Sequence, residues 1–256
     1  MISEHAIIDP AAKLGAGVTV GPGTIIGADV EIGEGTWIGP HVVIQGPTVI
    51  GKHNKIFQFA SVGDEPQDRT YQGEPTRLEI GDHNVIREFC MISRGTVKGG
   101  GLTKLGDHNF LMAYSHIGHD CMIGNQVIMV NYSALSGHVI VDDYAIIGAY
   151  AAVHQFCQVG VYAFIARATY VTKDVLPYVM IAGHTTSACG INTVGLRRRG
   201  FSSSAIDHLR RAYKVIFRKG LTVQQALAEL DVMKDDCPEM LPMIDALMKS
   251  TRGIVR

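Results

Sequence analysis

Aliphatic residues recur at every sixth position along most of the chain. From Ile8 the step visits Leu14, Val20, Ile26, Ile32, Ile38, Ile44, Ile50, Ile56 and Val62 without a miss. It resumes at Ile80, Ile86 and Ile92 and slips once. It then restarts at Leu105 and runs through Leu111, Ile117, Ile123, Met129, Leu135, Val141, Ile147, Val153, Val159, Ile165 and Val171. A helix repeats every 3.6 residues and a simple strand every two, so neither accounts for the step. It fits a parallel β-helix in which each hexad supplies one short strand and one corner, with the aliphatic residue pointing inward. The glycine that often follows is expected to relieve the corner. Three hexads close a triangular coil, coils stack about 4.8 Å apart, and the hexads suffice for about eight coils.

Two segments interrupt the period. Residues 64–79 replace two hexads with a polar stretch bearing Pro66, Gly73 and Pro75, and residues 94–104 contain Gly99-Gly100-Gly101. Both are expected to be loops extruded from corners, where a rigid scaffold presents binding residues. Past Val171 the pattern changes. Gly183 to Gly190 reads as a linker, and Ser202 can cap a helix through Ile206, Leu209, Tyr213 and Phe217 to Gly220. Thr222 with Gln225 forms a capping box for a second helix, and Glu239 to Thr251 is a third. The expected division is therefore a β-helix over residues 1–183 and a helical domain over residues 190–256.

Composition narrows the function classes. The chain has 256 residues, 46% hydrophobic and 18% charged, with a net charge of −1, and Lys+Arg 23 against Asp+Glu 24 offers no basic excess for nucleic acid. The charge is unevenly placed: residues 190–256 carry 12 Lys+Arg against 7 Asp+Glu, so this part is positive and the remainder negative. Arg197, Arg198, Arg199, Arg210, Arg211, Lys214, Arg218 and Lys219 fall in one short stretch, either a solvated face or a dock for an acidic partner or a phosphate. Cys90, Cys121, Cys157, Cys189 and Cys237 are odd in number and widely spaced, which fits reduced thiols and no metal motif. The first residues have no secretory pattern and no run of apolar residues is long enough to span a membrane, so a cytoplasmic location is expected.

The histidines supply the candidate chemistry. If residues 94–104 are an insertion within one corner, Ile92 stacks under Ile117, Leu135 and Val153, the last three being 18 apart. Ser93, His119, His138 and His154 then lie within three residues of these anchors and collect along one wall and its corner, with His116 facing outward nearby. Such a cluster could serve a metal or acid–base catalysis with substrate binding. The ligand spacing of zinc-binding hexapeptide proteins is not found here, and no metal is expected.

The residues Ala113-Tyr114-Ser115-His116-Ile117-Gly118-His119-Asp120, Gly124-Asn125, Gly137-His138-Val139 and Val153-His154-Gln155-Phe156-Cys157 resemble the UDP-N-acetylglucosamine O-acyltransferase family of hexapeptide-repeat enzymes. Gln58-Phe59-Ala60-Ser61-Val62-Gly63, Gly73-Glu74-Pro75-Thr76-Arg77, Arg94-Gly95-Thr96, Arg198-Arg199-Gly200-Phe201 and Ser250-Thr251-Arg252-Gly253 extend the resemblance over nearly the whole chain. It implies a left-handed prism assembled as a homotrimer. It also implies transfer of a 3-hydroxyacyl chain from acyl carrier protein to the sugar 3-hydroxyl at the start of lipid A synthesis, with no cofactor beyond the carrier thioester.

By the same resemblance His119 is the general base, Asp120 orients it, and the backbone amide of Gly137 is the oxyanion donor. His116, His138, His154 and Gln155 face sugar or acyl groups, Asp68 lies near the substrate on the first loop, and Asn192 with Arg198 reaches the nucleotide phosphates. The basic C-terminal helices would dock the acidic carrier protein. Four positions depart from the family pattern. Ser93 replaces a histidine, Thr70 a lysine for which Arg69 could substitute, and Val194 a glutamate that helps hold the nucleoside. Arg167 stands at the acyl-chain ruler, where a long cation either blocks the groove or lines it with its stem. These departures leave open an N-acylating enzyme acting on a 3-amino sugar nucleotide, or a binding protein without turnover.

Overall fold

The computed structural model describes residues 1–183 and 186–256. Its first two thirds form a left-handed parallel β-helix of three walls with nine, eight and ten strands. The first wall starts at Ile7–Ile8, the second at Lys13–Leu14 and the third at Thr19–Val20. Most strands are two residues long, and each pairs in parallel with the strand one coil above. On the first wall Ile92 pairs with Ile117, Ile117 with Leu135 and Leu135 with Val153. The inward stack of that wall from Ile26 to Val171 is at most 1% exposed throughout. Packing of one aliphatic side chain on the next holds the prism together, because a two-residue strand buries almost nothing alone.

Each hexad also has a second interior position, two residues before the aliphatic one and on the same face of the extended chain. It takes small or polar residues, among them Thr24, Thr36, Asn54, Asn84, Asn109 and Ser133, all at most 1% exposed. Asn54 Oδ1 accepts the Asn84 N–H, Asn84 Oδ1 accepts the Asn109 N–H (both 2.8 Å), and Asn109 Oδ1 accepts the Val127 N–H at 2.7 Å. These side chains satisfy corner amides that the short strands cannot reach.

The glycines act differently from the expectation. Along most of the prism the left-handed corner residue is not glycine. His41, Phe59, Phe89, Tyr114, Tyr132 and Tyr150 have φ between 55° and 64° on the edge between the third and first walls. Their rings stack in one ladder with centroids 4.7–5.6 Å apart. Left-handed backbone costs about 1 kcal/mol or more per residue, and ring stacking offsets a cost of that size. Glycine is required instead where coils touch: a Cβ on Gly33 would lie 2.6 Å from the carbonyl carbon of Gly51.

The loops are shorter than the period suggests. Arg77–Ile80 and Leu102–Leu105 are strands of the second wall, so the excursions cover residues 65–76 and 94–101. The expected linker is partly a strand: Ser187–Ile191 pairs antiparallel with Val179–Ala182 and ends the third wall. His184 and Thr185 of that linker lie outside the described residues. Four helices follow, α1 (Thr193–Arg198), α2 (Ser203–Arg218), α3 (Val223–Met233) and α4 (Leu241–Lys249). The Ser202 cap and the Thr222–Gln225 capping box form as expected. Three ends differ: α2 stops at Arg218, and the last helix starts at Leu241 after a 3₁₀ turn and stops at Lys249. The short α1 has no sequence expectation because six residues carry too little periodicity. The terminal segment returns to the prism, where Ser250 donates to Asp174 at 2.7 Å and Ile254 bridges it.

Truncating the aliphatic stack should be costly. Leu135→Ala is expected to destabilise the fold by about 2–5 kcal/mol, read as a lowered midpoint in denaturant unfolding.

Candidate active site

The first two walls meet along one edge, and both loops leave the prism there. His119 and Asp120 follow the strand His116–Ile117 of the first wall and precede Met122–Ile123 of the second. Gly137 and His138 occupy the same edge one coil higher, and His154 and Gln155 follow Ala152–Val153 one coil above that. Asp68 lies on the first loop, and Ser93 ends the strand Met91–Ser93 just before the second. Closure every 18 residues thus brings nine predicted residues to one edge.

His119 Nδ1 lies 2.8 Å from Asp120 Oδ2. Neighbours on a straight strand point apart. Here the corner reverses that, because Asp120 adopts φ 60°. The Asp120 carboxylate is buried, and a buried charge needs donors. Thr96 supplies two: its N–H donates to Oδ1 at 2.7 Å and its hydroxyl to Oδ2 at 2.6 Å. The Asp120 N–H in turn donates to Thr103 Oγ1 at 2.8 Å. Gly99 faces the carboxylate so closely that a Cβ would fall 2.0 Å from Asp120 Cγ. The second loop is therefore a clamp on the dyad through Thr96 and Gly99, and Thr103 of the second wall holds the Asp120 backbone. Thr96 lies in the Arg94-Gly95-Thr96 motif and Gly99 in the glycine run of the loop, but nothing in their spacing marks either as a partner of Asp120.

The His138 ring meets the His119 ring edge to face at 5.1 Å, stacks on Phe156 at 4.4 Å and brings Nε2 to 3.7 Å from Asp120 Oδ2. Burial pushes the His138 and His116 imidazoles below their ordinary 6.5. For His138 the Asp120 charge opposes this shift. Ring atoms of His119 lie over Gly137, where a Cβ would be 2.5 Å from Cε1. No acceptor for the Gly137 N–H is found among the described residues. The His119, Asp120 and His138 donor atoms lie within 4.8 Å of one another. Both Asp120 oxygens accept from Thr96, and Oδ2 also meets His119, so the edge holds a His–Asp pair with a neighbouring imidazole.

His154 Nδ1 is 3.5 Å from an Arg252 nitrogen, which brings the terminal Ser250-Thr251-Arg252-Gly253 segment to the edge. Asp68 accepts from the Thr70 N–H at 2.9 Å and from its hydroxyl, which hold the carboxyl below its usual range. The cation that meets Thr70 is Lys98 of the second loop, at 2.9 Å. Ser93 is 2% exposed at the base of this wall.

The remaining predicted residues lie elsewhere. Asn192 caps α1 through the Gly195 N–H, and with Val194 and Arg198 it lines a cavity of about 470 Å³. Ile146, Phe164 and Met180 of the third wall form the cavity's other side. Arg167 is exposed on the edge between the third and first walls. Within one chain, then, the first wall separates the dyad from Arg167.

These features define a hexapeptide-repeat protein of the transferase type with a His–Asp pair on one prism edge. Residues 29–64 match the bacterial transferase hexapeptide model, and residues 174–255 match the model for domain 2 of UDP-N-acetylglucosamine O-acyltransferase. An acyl-[acyl-carrier-protein]--UDP-N-acetylglucosamine O-acyltransferase of Pseudomonas aeruginosa is 56% identical over 256 residues, covering 100% of this chain and 99% of that protein. The solved LpxA of Acinetobacter baumannii is 48% identical with a TM-score of 0.98, covering 100% of this chain and 99% of that one. The UDP-N-acetylglucosamine acyltransferase of Francisella novicida is 44% identical with a TM-score of 0.97, covering 100% and 94%. The chain belongs to the UDP-N-acetylglucosamine O-acyltransferase family.

Two outcomes are expected. Thr96→Val keeps the side-chain shape but removes a hydrogen bond to a buried charge, and should cost about 1.5–3 kcal/mol in an unfolding titration. His116 has its folded pKa below its unfolded one, so the unfolded chain takes up the proton first as pH falls. Its stabilising contribution is present above the ordinary value near 6.5 and lost as pH drops below it. The fall in melting temperature between about pH 7 and pH 5 should be shallower in His116→Gln.

Proposed function

We propose that the protein moves a 3-hydroxyacyl chain from acyl carrier protein to the 3-hydroxyl of UDP-N-acetylglucosamine, with His119 as general base. The contact of His119 Nδ1 with the clamped Asp120 carboxylate carries this reading. An Nδ1–H donated to Asp120 leaves the Nε2 lone pair free to take the proton of the sugar hydroxyl. The hydroxyl oxygen then adds to the thioester carbonyl. The tetrahedral oxyanion receives the Gly137 N–H, and glycine allows the close approach that a side chain would prevent. Collapse breaks the carbon–sulfur bond, and the departing thiolate takes the proton from the His119 imidazolium. A thioester is already activated, so the step needs no metal or organic cofactor.

His116, His138, His154, Gln155, Ser93 and Asp68 form the substrate wall around this pair, and Asn192 with Arg198 takes the nucleotide phosphates. Arginine suits that task because its planar fork binds phosphate bidentately. The dyad edge and the Arg198 cavity lie on different sides of one prism, which supports a site completed by a neighbouring copy in a homotrimer. Residues 1–183 would then carry the chemistry, and residues 190–256 the nucleotide and carrier contacts. Several cations there are already engaged: Arg210 with Asp207, Lys219 with Glu229, and Arg218 with the Ala188 carbonyl. Arg211 and Lys214 remain unpaired among the described residues and exposed on α2, and they are the proposed dock for acidic carrier protein. No described helix is long and apolar enough to cross a membrane. Both substrates are water-soluble, and the cytoplasm is the proposed location.

Turnover measured by mass spectrometry, with UDP-N-acetylglucosamine, its 3-amino analogue and a ladder of 3-hydroxyacyl carrier proteins, tests the reading. His119→Ala should lose about 10²–10⁴-fold in kcat. Faster turnover of the amino analogue, or none of either acceptor by the wild type, would displace the proposal. As the proposed ruler, Arg167 should shorten the accepted chain. Arg167→Gly is therefore expected to shift the preference toward longer chains, and an unchanged length profile would remove Arg167 from that role.

A further inference from the structure

The two loops meet at Lys98. Its ammonium donates to Thr70 Oγ1 at 2.9 Å, and the same hydroxyl lies 3.0 Å from each oxygen of Asp68. One hydroxyl can accept from an ammonium while donating to a carboxylate, so the Thr70 side chain is fully used as a strut. Lys98 sits on the 3₁₀ turn Val97–Gly99, which Thr96 caps while also holding Asp120. One short segment thus grips the carboxylate behind His119 at one end and the first loop at the other.

The charges around this junction are mixed. The field of Asp68 reaches both His119 and His138, while the field of Lys98 reaches Asp68 and Glu74. Asp68, Thr70, Glu74, Thr96 and Lys98 line one small crevice between the loops. Without the ammonium, two carboxylates would stand unscreened beside the dyad, where an anionic diphosphate sugar has to dock.

We propose that Lys98 is a positioning residue for the sugar nucleotide: held across the loop junction by Thr70, its ammonium fixes Asp68 toward the dyad and offsets the Asp68 and Glu74 charges. The first loop carries no lysine at position 70, and the ammonium at this junction comes from the second loop. The proposal rests on the reading of His119 as the reacting base. Because screening acts on substrate and transition state alike, Lys98 contributes uniform binding and governs KM more than kcat.

Steady-state kinetics of the full-length enzyme provide the test. Lys98→Met is expected to raise KM for UDP-N-acetylglucosamine about 5- to 10-fold with kcat within about 2-fold, and to leave KM for the acyl carrier protein unchanged. Lys98→Gln keeps a donor for Thr70 but no charge and should show the same rise. The rise should shrink at high salt, which screens the exposed carboxylates. Lys98→Met combined with Thr70→Lys moves the cation to the first loop and should restore KM to within about 2-fold of wild type. A wild-type KM in either single variant, or no restoration in the combined one, overturns the proposal. His119→Ala, assayed alongside, tests the base assignment separately: undiminished turnover there would overturn that reading whatever Lys98 does.

Discussion

Closure of the coil after 18 residues is the constraint on which the rest of the structure depends. Each short strand finds its hydrogen bonds only in the coil above or below, as Ile117 does with Ile92 and Leu135. Every side chain therefore stands on its equivalent one coil away, and any repeated choice becomes a column. The aliphatic choice gives the core, the polar choice two residues earlier gives the asparagine ladder, and the ring choice at the corner gives the stacked aromatics. The candidate site is another such column, in which Asp120, His138 and Phe156 follow one another at the left-handed corner, with His119 and Gly137 stacked beside them.

A periodic scaffold cannot by itself hold a buried carboxylate, and the interruptions of the period do that work. The second loop brings Thr96 and Gly99 against Asp120, supplying two donors and a surface without a side chain. The first loop brings Asp68, and Lys98 ties the two together. The loops are tied to the prism and to each other by Arg94, which is buried and donates to the carbonyls of Gly46 and Gly63 and to the Tyr71 hydroxyl. The insertions thus add donors and charge to one corner, with a single register shift between Val62 and Asp64 in the strand pairing beneath them.

The family's departures fall on different parts of this arrangement. Thr70 is integrated into the loop junction through Lys98 and Asp68, whereas Ser93 is a small buried replacement at the base of the wall. Val194 lines the Arg198 cavity, and Arg167 is exposed at the far edge of the first wall. None of the four touches the bond between His119 and Asp120.

The six-residue step alone determined the prism, its core residues and the gathering of the histidines, because a closed coil turns linear spacing into vertical stacking. Caps at Ser202 and Thr222 were likewise legible, since their hydrogen bonds are local. Only the tertiary structure decided how the loops use their residues, because the Thr96–Asp120 and Lys98–Thr70 contacts join segments 24 and 28 positions apart with no fixed spacing. It also decided which corners need glycine, since stacked rings stabilise left-handed backbone that local preference disfavours. The strand Ser187–Ile191 escaped the sequence reading for a similar reason: its partner is the antiparallel end of the third wall, and no repeat announces it.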